Sequence, residues 1–385
     1  RGGTAMPESP PRRRALPPGV GAIAALPARA ATIAAPAVSA TARDTYARAT
    51  VIDALGGAGS QDDQPDHGFS TRSLGDVRAS GVTACNVTVS MVGNGPETFE
   101  GTIANIAAYN REIAQHPDVF MAIRNAADLK TAKATGRLGL IFGLQDSALL
   151  GNSFDRLDTL DALGVRIAQP TYNLRNLAGD GATEPANGGL SKFGYAYLAE
   201  LNKRRIVVDL SHAGQRTIAE GIVASKSPPA ITHTGCRALV DHPRNTADAE
   251  LKALANKGGV AGIYFMPYLR VKGQQMAADV IAHIEHAVQV MGEDHVGLGS
   301  DGQISAIDLT PEYRKNYAEA NALRKSSGIA APNENDDVYT FAPDLNGPRK
   351  FETLADELLR RGWSTTRVEK ILGGNFARMF GEVWG

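Results

Sequence analysis

Two histidines close together in the chain carry the clearest chemistry in this sequence. Between Ile206 and Asn245, IVVDLSHAGQRTIAEGIVASKSPPAITHTGCRALVDHPRN, an apolar, β-prone run twice ends in a histidine: IVVDLSH at His212 and PAITH at His233. The segment between them, AGQRTIAEGIVASKS, has room for one helix of about three turns. The passage therefore reads as strand, helix, strand, a βαβ unit that needs a parallel sheet. Parallel neighbours lie about 4.8 Å apart, so imidazoles leaving adjacent strand ends on one side can share a metal at N–Zn distances of about 2.0–2.1 Å. The competing reading is that each histidine caps its strand and donates to a nearby carbonyl.

The elements that must position this pair alternate along the chain from about Arg43. Eight strand candidates appear: ATVIDA (49–54), GVTACNVTV (81–89), LGLIFGLQ (138–145), VRIAQPTYN (165–173), IVVDLSH (206–212), PAITH (229–233), GGVAGIYF (258–265) and HVGLGSD (295–301). Helical patterns fill the gaps, among them GTIANIAAYNREIAQH, SFDRLDTLDALG, FGYAYLAELNKR, DAELKALANKG and ADVIAHIEHAVQVMG. In the last, Val280, Ile284, Ala287, Val288 and Met291 form a core-facing stripe, which puts His283 and His286 on the exposed side. This count and length match a (β/α)8 barrel. An open doubly wound sheet is the alternative, but it wants a glycine-rich phosphate turn after its first strand, and Asp53-Ala54-Leu55-Gly56-Gly57 lacks GxGxxG spacing. The barrel also explains why polar residues collect at the strand ends: Asp53, Thr88 or Ser90, Gln145 with Asp146, Tyr172 with Asn173, His212, His233, Tyr264 and Asp301. In a barrel these C-terminal ends converge on one site.

Residues 44–385 thus read as one barrel domain with a long polar insertion at about 302–350, placed to cover the mouth or to make a subunit contact. The tail, FETLADELLRRGWSTTRVEKILGGNFARMFGEVW, reads as two amphipathic helices, with Gly373-Gly374-Asn375 allowing a close helix approach rather than binding phosphate. Residues 1–43 differ: Ala, Pro and Arg dominate, and Arg12–Arg14 precede a weak apolar run and the small-residue sites Ala28-Arg29-Ala30 and Val38-Ser39-Ala40. That order is expected of an export signal, twin-arginine in type, and so of a periplasmic or secreted protein; a disordered leader is the alternative.

With 43% hydrophobic and 21% charged residues, a chain of 385 residues can bury a full core. Its net charge of -1 argues against a general nucleic-acid or anionic-membrane binder, and no apolar run is long enough for a membrane span. Cys85 and Cys236 fit neither a disulfide framework nor a CxxC site and read as small buried hydrophobes. P-loop, GxSxG and zinc-finger spacings are absent.

Several motifs in order complete the reading: Asp209-Leu210-Ser211-His212, Thr232-His233, His242-Pro243-Arg244-Asn245 followed by Asp248, Gly297-Leu298-Gly299-Ser300-Asp301 and Gly374-Asn375-Phe376. Over about residues 44–383 the chain closely resembles the renal, or membrane, dipeptidase family of zinc peptidases. Gly164-Val165-Arg166, Thr171-Tyr172-Asn173 and Gly189-Leu190 look like its bacterial branch. The resemblance implies a metal-dependent barrel hydrolase of dipeptides, commonly a homodimer, in which two zinc ions share a bridging carboxylate. One ion is also held by an HxD pair after the first strand and the other by two histidines. His212 and His233 fall on the two-histidine positions. Arg244, with Asn245 beside it, falls on the arginine that grips the substrate carboxylate, and Asp301 on the acid that accepts the proton of the attacking water. Where the HxD should stand this chain has Leu55-Gly56-Gly57. The bridging glutamate position is Gln145, a weaker ligand for a dication. Tyr172 stands where a histidine usually steadies the tetrahedral intermediate.

Three functions follow from this pattern. The first is a hydrolase of a dipeptide or related amide with one zinc on His212 and His233, completed by Asp301 or the Gln145 oxygen and by water, with Asp301 as base, Tyr172 as donor and Arg244 fixing the carboxylate. The second is a tailoring or accessory protein in periplasmic maturation of a peptide siderophore or similar metabolite, by likeness to a branch member that also lacks the HxD. The third is a binding protein with a vestigial site and no metal.

Overall fold

The computed structural model describes residues 37–64, 68–93 and 97–385. The export leader expected at residues 1–43 lies, up to residue 36, outside the described residues. The helix Ala40–Arg48 runs across the boundary expected at residue 43, with Ala42 fully buried. Its start is fixed by Ser39, whose hydroxyl accepts from the Ala42 N–H and donates to Asp356 Oδ1 at 2.6 Å.

All eight expected strands form, and they close into a (β/α)8 barrel. They are β1 (Ile52–Asp53), β2 (Ala84–Thr88), β3 (Leu138–Leu144), β4 (Val165–Ala168), β5 (Val207–Val208), β6 (Ala230–Thr234), β7 (Val260–Ile263) and β8 (Val296–Leu298). Parallel ladders join β1 through β5 in order, and another joins β6, β7 and β8. Two seams complete the circle. Asp209 pairs in parallel with Ala230, with Leu210 N donating to Ala230 O at 2.9 Å, and Ala54 N donates to Leu298 O at 2.9 Å. Burial on both faces accounts for the near-continuous apolar strands: every residue of β3, LGLIFGL, is buried.

Helices between the strands lie where the periodicity puts them, including Glu97–Gln115, Asp155–Ala162, Lys192–Lys203, Gln215–Ala224 and Asp248–Asn256. The helix Ala277–Met291 buries the expected stripe, but His283 corrects the expectation of exposure. It is buried, because its Nδ1 accepts from Cys236 N at 2.8 Å and its Nε2 lies 3.2 Å from the Leu269 carbonyl. The loops after β6 and β7 fold over a wider face of this helix than the apolar stripe alone marks. His286 is half-buried and paired with Asp248 at 2.8 Å.

After β8 the insertion contains a short strand, Gly302–Gln303, paired with Gly56–Gly57, and a helix, Pro311–Ser326. Helices Lys350–Arg360 and Asn375–Trp384 pack the tail against the barrel. Gly373 is the close approach foreseen there, since a Cβ on it would sit 2.4 Å from Thr50 O and 2.5 Å from Ile52 N. Both cysteines are free and buried, and no helix among the described residues is long and apolar enough to cross a membrane.

Candidate functional site

The seam between β5 and β6 brings the two histidines together. His212 follows the end of β5 and His233 lies within β6; their rings are 4.9 Å apart, and both are buried. One buried carboxylate organises the seam. Asp209 accepts from Gln169 Nε2 at 2.8 Å, Ser211 N at 3.1 Å, Thr232 N at 3.0 Å, Thr232 Oγ1 at 2.6 Å and the Ser211 hydroxyl. Burial pushes its pKa up while these donors pull the other way.

These hydrogen bonds fix the tautomer of each imidazole. Thr232 spends its hydroxyl hydrogen on Asp209, so its oxygen can only accept from His233 Nδ1, 2.9 Å away. His233 therefore carries its proton on Nδ1 and presents a bare lone pair at Nε2. That atom is fully buried and has no hydrogen-bond partner among the described residues. Asn173 does the same for His212. Its Nδ2 donates to Ile329 O at 2.8 Å, which turns Oδ1 toward His212 Nδ1 at 2.7 Å and leaves Nε2 without a proton, as an acceptor. Burial, and then the nearby Arg244 charge, hold both imidazoles well below their ordinary pKa, so both are neutral.

Arg244 is buried beside them. Its Nη1 donates to the Ser211 carbonyl, and its Nη2 donates to His212 Nε2 at 3.2 Å. Tyr172 stacks on the His212 ring with centroids 4.0 Å apart, and its hydroxyl oxygen receives Arg324 Nη1 at 3.3 Å. Arg324 and its partner Glu334 come from the insertion. Arg324 Nε and Nη2 grip Glu334 at 2.8 and 2.9 Å, and Tyr268 donates to Glu334 at 2.6 Å. His242 Nε2 donates to Pro332 O at 2.9 Å, so the strap 329–334 is tied down over the site from several loops.

Asp301 sits after β8 in a left-handed turn, φ 54°, with its N–H on Leu55 O at 2.8 Å. The turn is held from below by Asp53, which accepts from Ser300 N at 2.7 Å and Ser300 Oγ at 2.6 Å. Burial pushes the Asp301 carboxyl up to about 7, with Arg244 and Arg324 opposing. It lines a cavity of about 630 Å³ together with Leu55, Gly56, Gly57, Thr88 and Gln303.

The sequence-derived site is thus brought together in part. His212, His233, Arg244 and Tyr172 touch one another directly or through one neighbour. Gln145 stands half-buried at the end of β3, its N–H on Ser90 Oγ at 2.9 Å, and no hydrogen bond joins its side chain to either histidine. Asn245 is a correction. Its Nδ2 donates to Val240 O and Tyr268 O, both at 2.9 Å, and its Oδ1 accepts from the Tyr264 hydroxyl, so its fully buried amide braces loops instead of facing a substrate. Asn173, expected only as a polar strand end, proves to orient His212, and with it Thr232, Arg324 and Glu334 gain roles at the site. The first two adjoin Tyr172 and His233 in sequence, whereas nothing in the polar insertion marks the last two.

Of the two imidazoles, His233 offers an unpartnered Nε2 to a metal ion, whereas His212 Nε2 is taken by Arg244. A buried, unpartnered imidazole nitrogen with its other nitrogen fixed by a second neighbour is how histidine ligands are held. Among the described residues, however, no group of three or more His, Cys, Asp or Glu is gathered to hold an ion. The chain after β1 offers only Leu55, Gly56 and Gly57.

Comparison with known proteins agrees with this architecture. The chain is 27% identical over 289 residues to dipeptidase verJ of Clonostachys rogersoniana, covering 74% of this chain and 66% of that protein. It spans 60–66% of the length of verJ and of two further dipeptidases, tcpJ of Claviceps purpurea and aclJ of Aspergillus oryzae. An amidohydrolase of Pseudomonas aeruginosa superposes with a TM-score of 0.76 at 32% identity, over 89% of this chain and 99% of that one. A metallopeptidase of Rhodobacter sphaeroides, solved with a phosphinate mimic of the dipeptide L-Ala-D-Ala, shares the fold at a TM-score of 0.70 and 17% identity, over 87% and 99%. The profile of membrane dipeptidase, peptidase family M19, matches residues 67–320, and the chain belongs to that family.

Proposed function

We propose that this protein hydrolyses a dipeptide or a related peptide amide, using a single zinc ion held by His233 and His212. The observation that carries this reading is His233 Nε2, a buried lone pair with no partner, 4.9 Å ring to ring from a second neutral imidazole. A zinc ion bound there supplies a Lewis acid and makes water a nucleophile near neutral pH. Arg244 presents a planar fork suited to a substrate carboxylate. Asp301, with a carboxyl poised at about 7, takes the proton of the attacking water. Tyr172 already accepts from Arg324, so its own hydrogen is free for the oxygen that gains charge. By the resemblance, Asp301 or the Gln145 oxygen would complete the ligand set with water.

A second reading, a tailoring or accessory role on a peptide metabolite such as a siderophore, is favoured by one observation. The half of the mouth around Gly56 and Gly57 is a cavity of about 630 Å³ whose lining, among the described residues, includes Asp63 and Asp301 but no histidine. Metal content per chain, measured by mass spectrometry after zinc loading and desalting, separates the two. About one zinc, with zinc-dependent cleavage of simple dipeptides, is expected for the hydrolase. No retained zinc and no cleavage would reject it in favour of the tailoring role. An exported location and a homodimer belong to the same proposal and rest on the leader and the resemblance.

A further inference from the structure

The charges at the mouth are sorted by side. Arg244 lies with the histidines, and Arg324 is spent on Glu334. The cavity of about 630 Å³ on the other side is lined by Asp63 and Asp301 and, among the described residues, by no lysine, arginine or histidine. Phe69, Tyr109 and Tyr313 give it aromatic walls. We propose that this cavity binds a cationic side chain, the ammonium or guanidinium of a lysine or arginine that forms the amino-terminal residue of a dipeptide. This deepens the reading of the ligand as a dipeptide with its carboxylate on Arg244 and rests on it, and it calls for no metal ion.

Asp63 supplies the charge. Burial works to raise its pKa, but the Ser73 hydroxyl at 2.6 Å and the Ser70 and Ser60 N–H groups, both at 2.8 Å, outweigh it and hold the carboxyl ionised below its ordinary value. No cation among the described residues pairs with it, because Arg72, the residue before Ser73, is spent on Asp62, Asp76 and Asp308. Among the described residues its Oδ2 accepts only from Ser60 N, and Gly59 leaves that oxygen uncovered, since a Cβ there would sit 2.6 Å from it. Tyr109 lies close enough for the Asp63 charge to help burial hold its phenol at about 12, and no hydrogen bond from the described residues occupies its oxygen. Carboxylate and ring faces attract a cation together, whereas an acidic side chain is repelled by the first and gains nothing from the second.

The test is calorimetric titration of the protein as purified with ketomethylene analogues of arginyl-alanine, norleucyl-alanine and glutamyl-alanine. In these a CH2 replaces the amide N–H, so nothing is cleaved, and the three differ only in the side chain offered to the cavity. The arginyl analogue is expected to bind about tenfold more tightly than the norleucyl one, the scale of one charge-assisted hydrogen bond. The glutamyl analogue should bind more weakly than either. Asp63→Asn should erase the arginyl advantage. If that variant does not fold, Gly59→Ala, whose methyl covers Oδ2 from the side of the cavity, should erase it too. Equal affinity for the arginyl and norleucyl analogues in the wild type overturns the cation site while leaving the dipeptide reading intact. An arginyl advantage that survives in the variants overturns the assignment to Asp63. Binding of none of the three overturns both the inference and the reading beneath it.

Discussion

The two halves of the barrel mouth are built on opposite plans. Around β5 and β6, Asp209, Thr232 and Asn173 use up nearly every donor and acceptor, and what remains is two neutral imidazoles with their Nε2 atoms bare of hydrogen. Around β1 and β8 the strand ends carry Leu55, Gly56 and Gly57, and the space between them and Asp301 is a cavity of about 630 Å³. Burial alone does not separate the halves, since Leu55, Asp53 and Ser300 are as buried as the histidines. The difference lies in what the polar network supports. In the first half it orients ligands, whereas in the second Asp53 spends its carboxylate on holding the Ser300 turn. A half that orients imidazoles and a half that encloses open space therefore share one rim.

The largest expected effect tests the wired half. His233→Ala removes the buried imidazole nitrogen that has no partner among the described residues, so zinc retained after desalting should fall from about one per chain to none. The fold should survive with a loss of about 1–3 kcal/mol, because Thr232 keeps its bond to Asp209. Unchanged zinc in a folded variant would move the metal, and the comparison, elsewhere.

That asymmetry is partly legible in the sequence. The eight strands are short apolar runs bounded by turns, and barrel closure follows from their number. The strand-end histidines are visible for the same reason: a polar residue closing an apolar run is conspicuous. The tautomers are not visible, because they depend on which way Thr232 and Asn173 donate, and those choices are set by Asp209 and by the carbonyl of Ile329 far along the chain. Arg324 and Glu334 are hidden by a different cause. Their insertion is polar throughout, and a pair that meets only on folding leaves no period to detect. Asn245 shows the opposite failure: its place beside Arg244 suggests a substrate contact, but its amide is fully used in bracing loops.

Rebuilding the open half is the next test. Leu55→His with Gly57→Asp and Gln145→Glu places two ligands after β1 and a carboxylate after β3. A Cβ at Gly57 would lie 2.2 Å from Gln303 Oε1, the far end of a flexible side chain that can swing into the cavity by giving up its 3.2 Å bond from the Gly59 N–H, so the backbone need not move. The triple variant is expected to retain a second zinc where the wild type retains one. If metal content stays at one, the open half lacks more than ligands, and the contrast between the halves is one of shape as well as chemistry.

Asp301 stands on the boundary between the halves and gives the smallest effect. Its carboxyl is pushed up to about 7 by burial, against an ordinary value of 3.8. Between about pH 4 and 7 the folded protein thus keeps a proton that the unfolded chain has released, and raising the pH through that window withdraws stability. Asp301→Asn never ionises and escapes this loss. Relative to the wild type, the metal-free variant should gain stability from pH 5 to pH 8. The gain should be on the order of 1–2 kcal/mol, less than the full shift implies because the carboxyl borders an open cavity. Thermal melts at the two pH values measure it. A difference that does not change with pH would mean that Arg244 and Arg324 hold the carboxyl ionised throughout, which would assign Asp301 to the wired half instead of the open one.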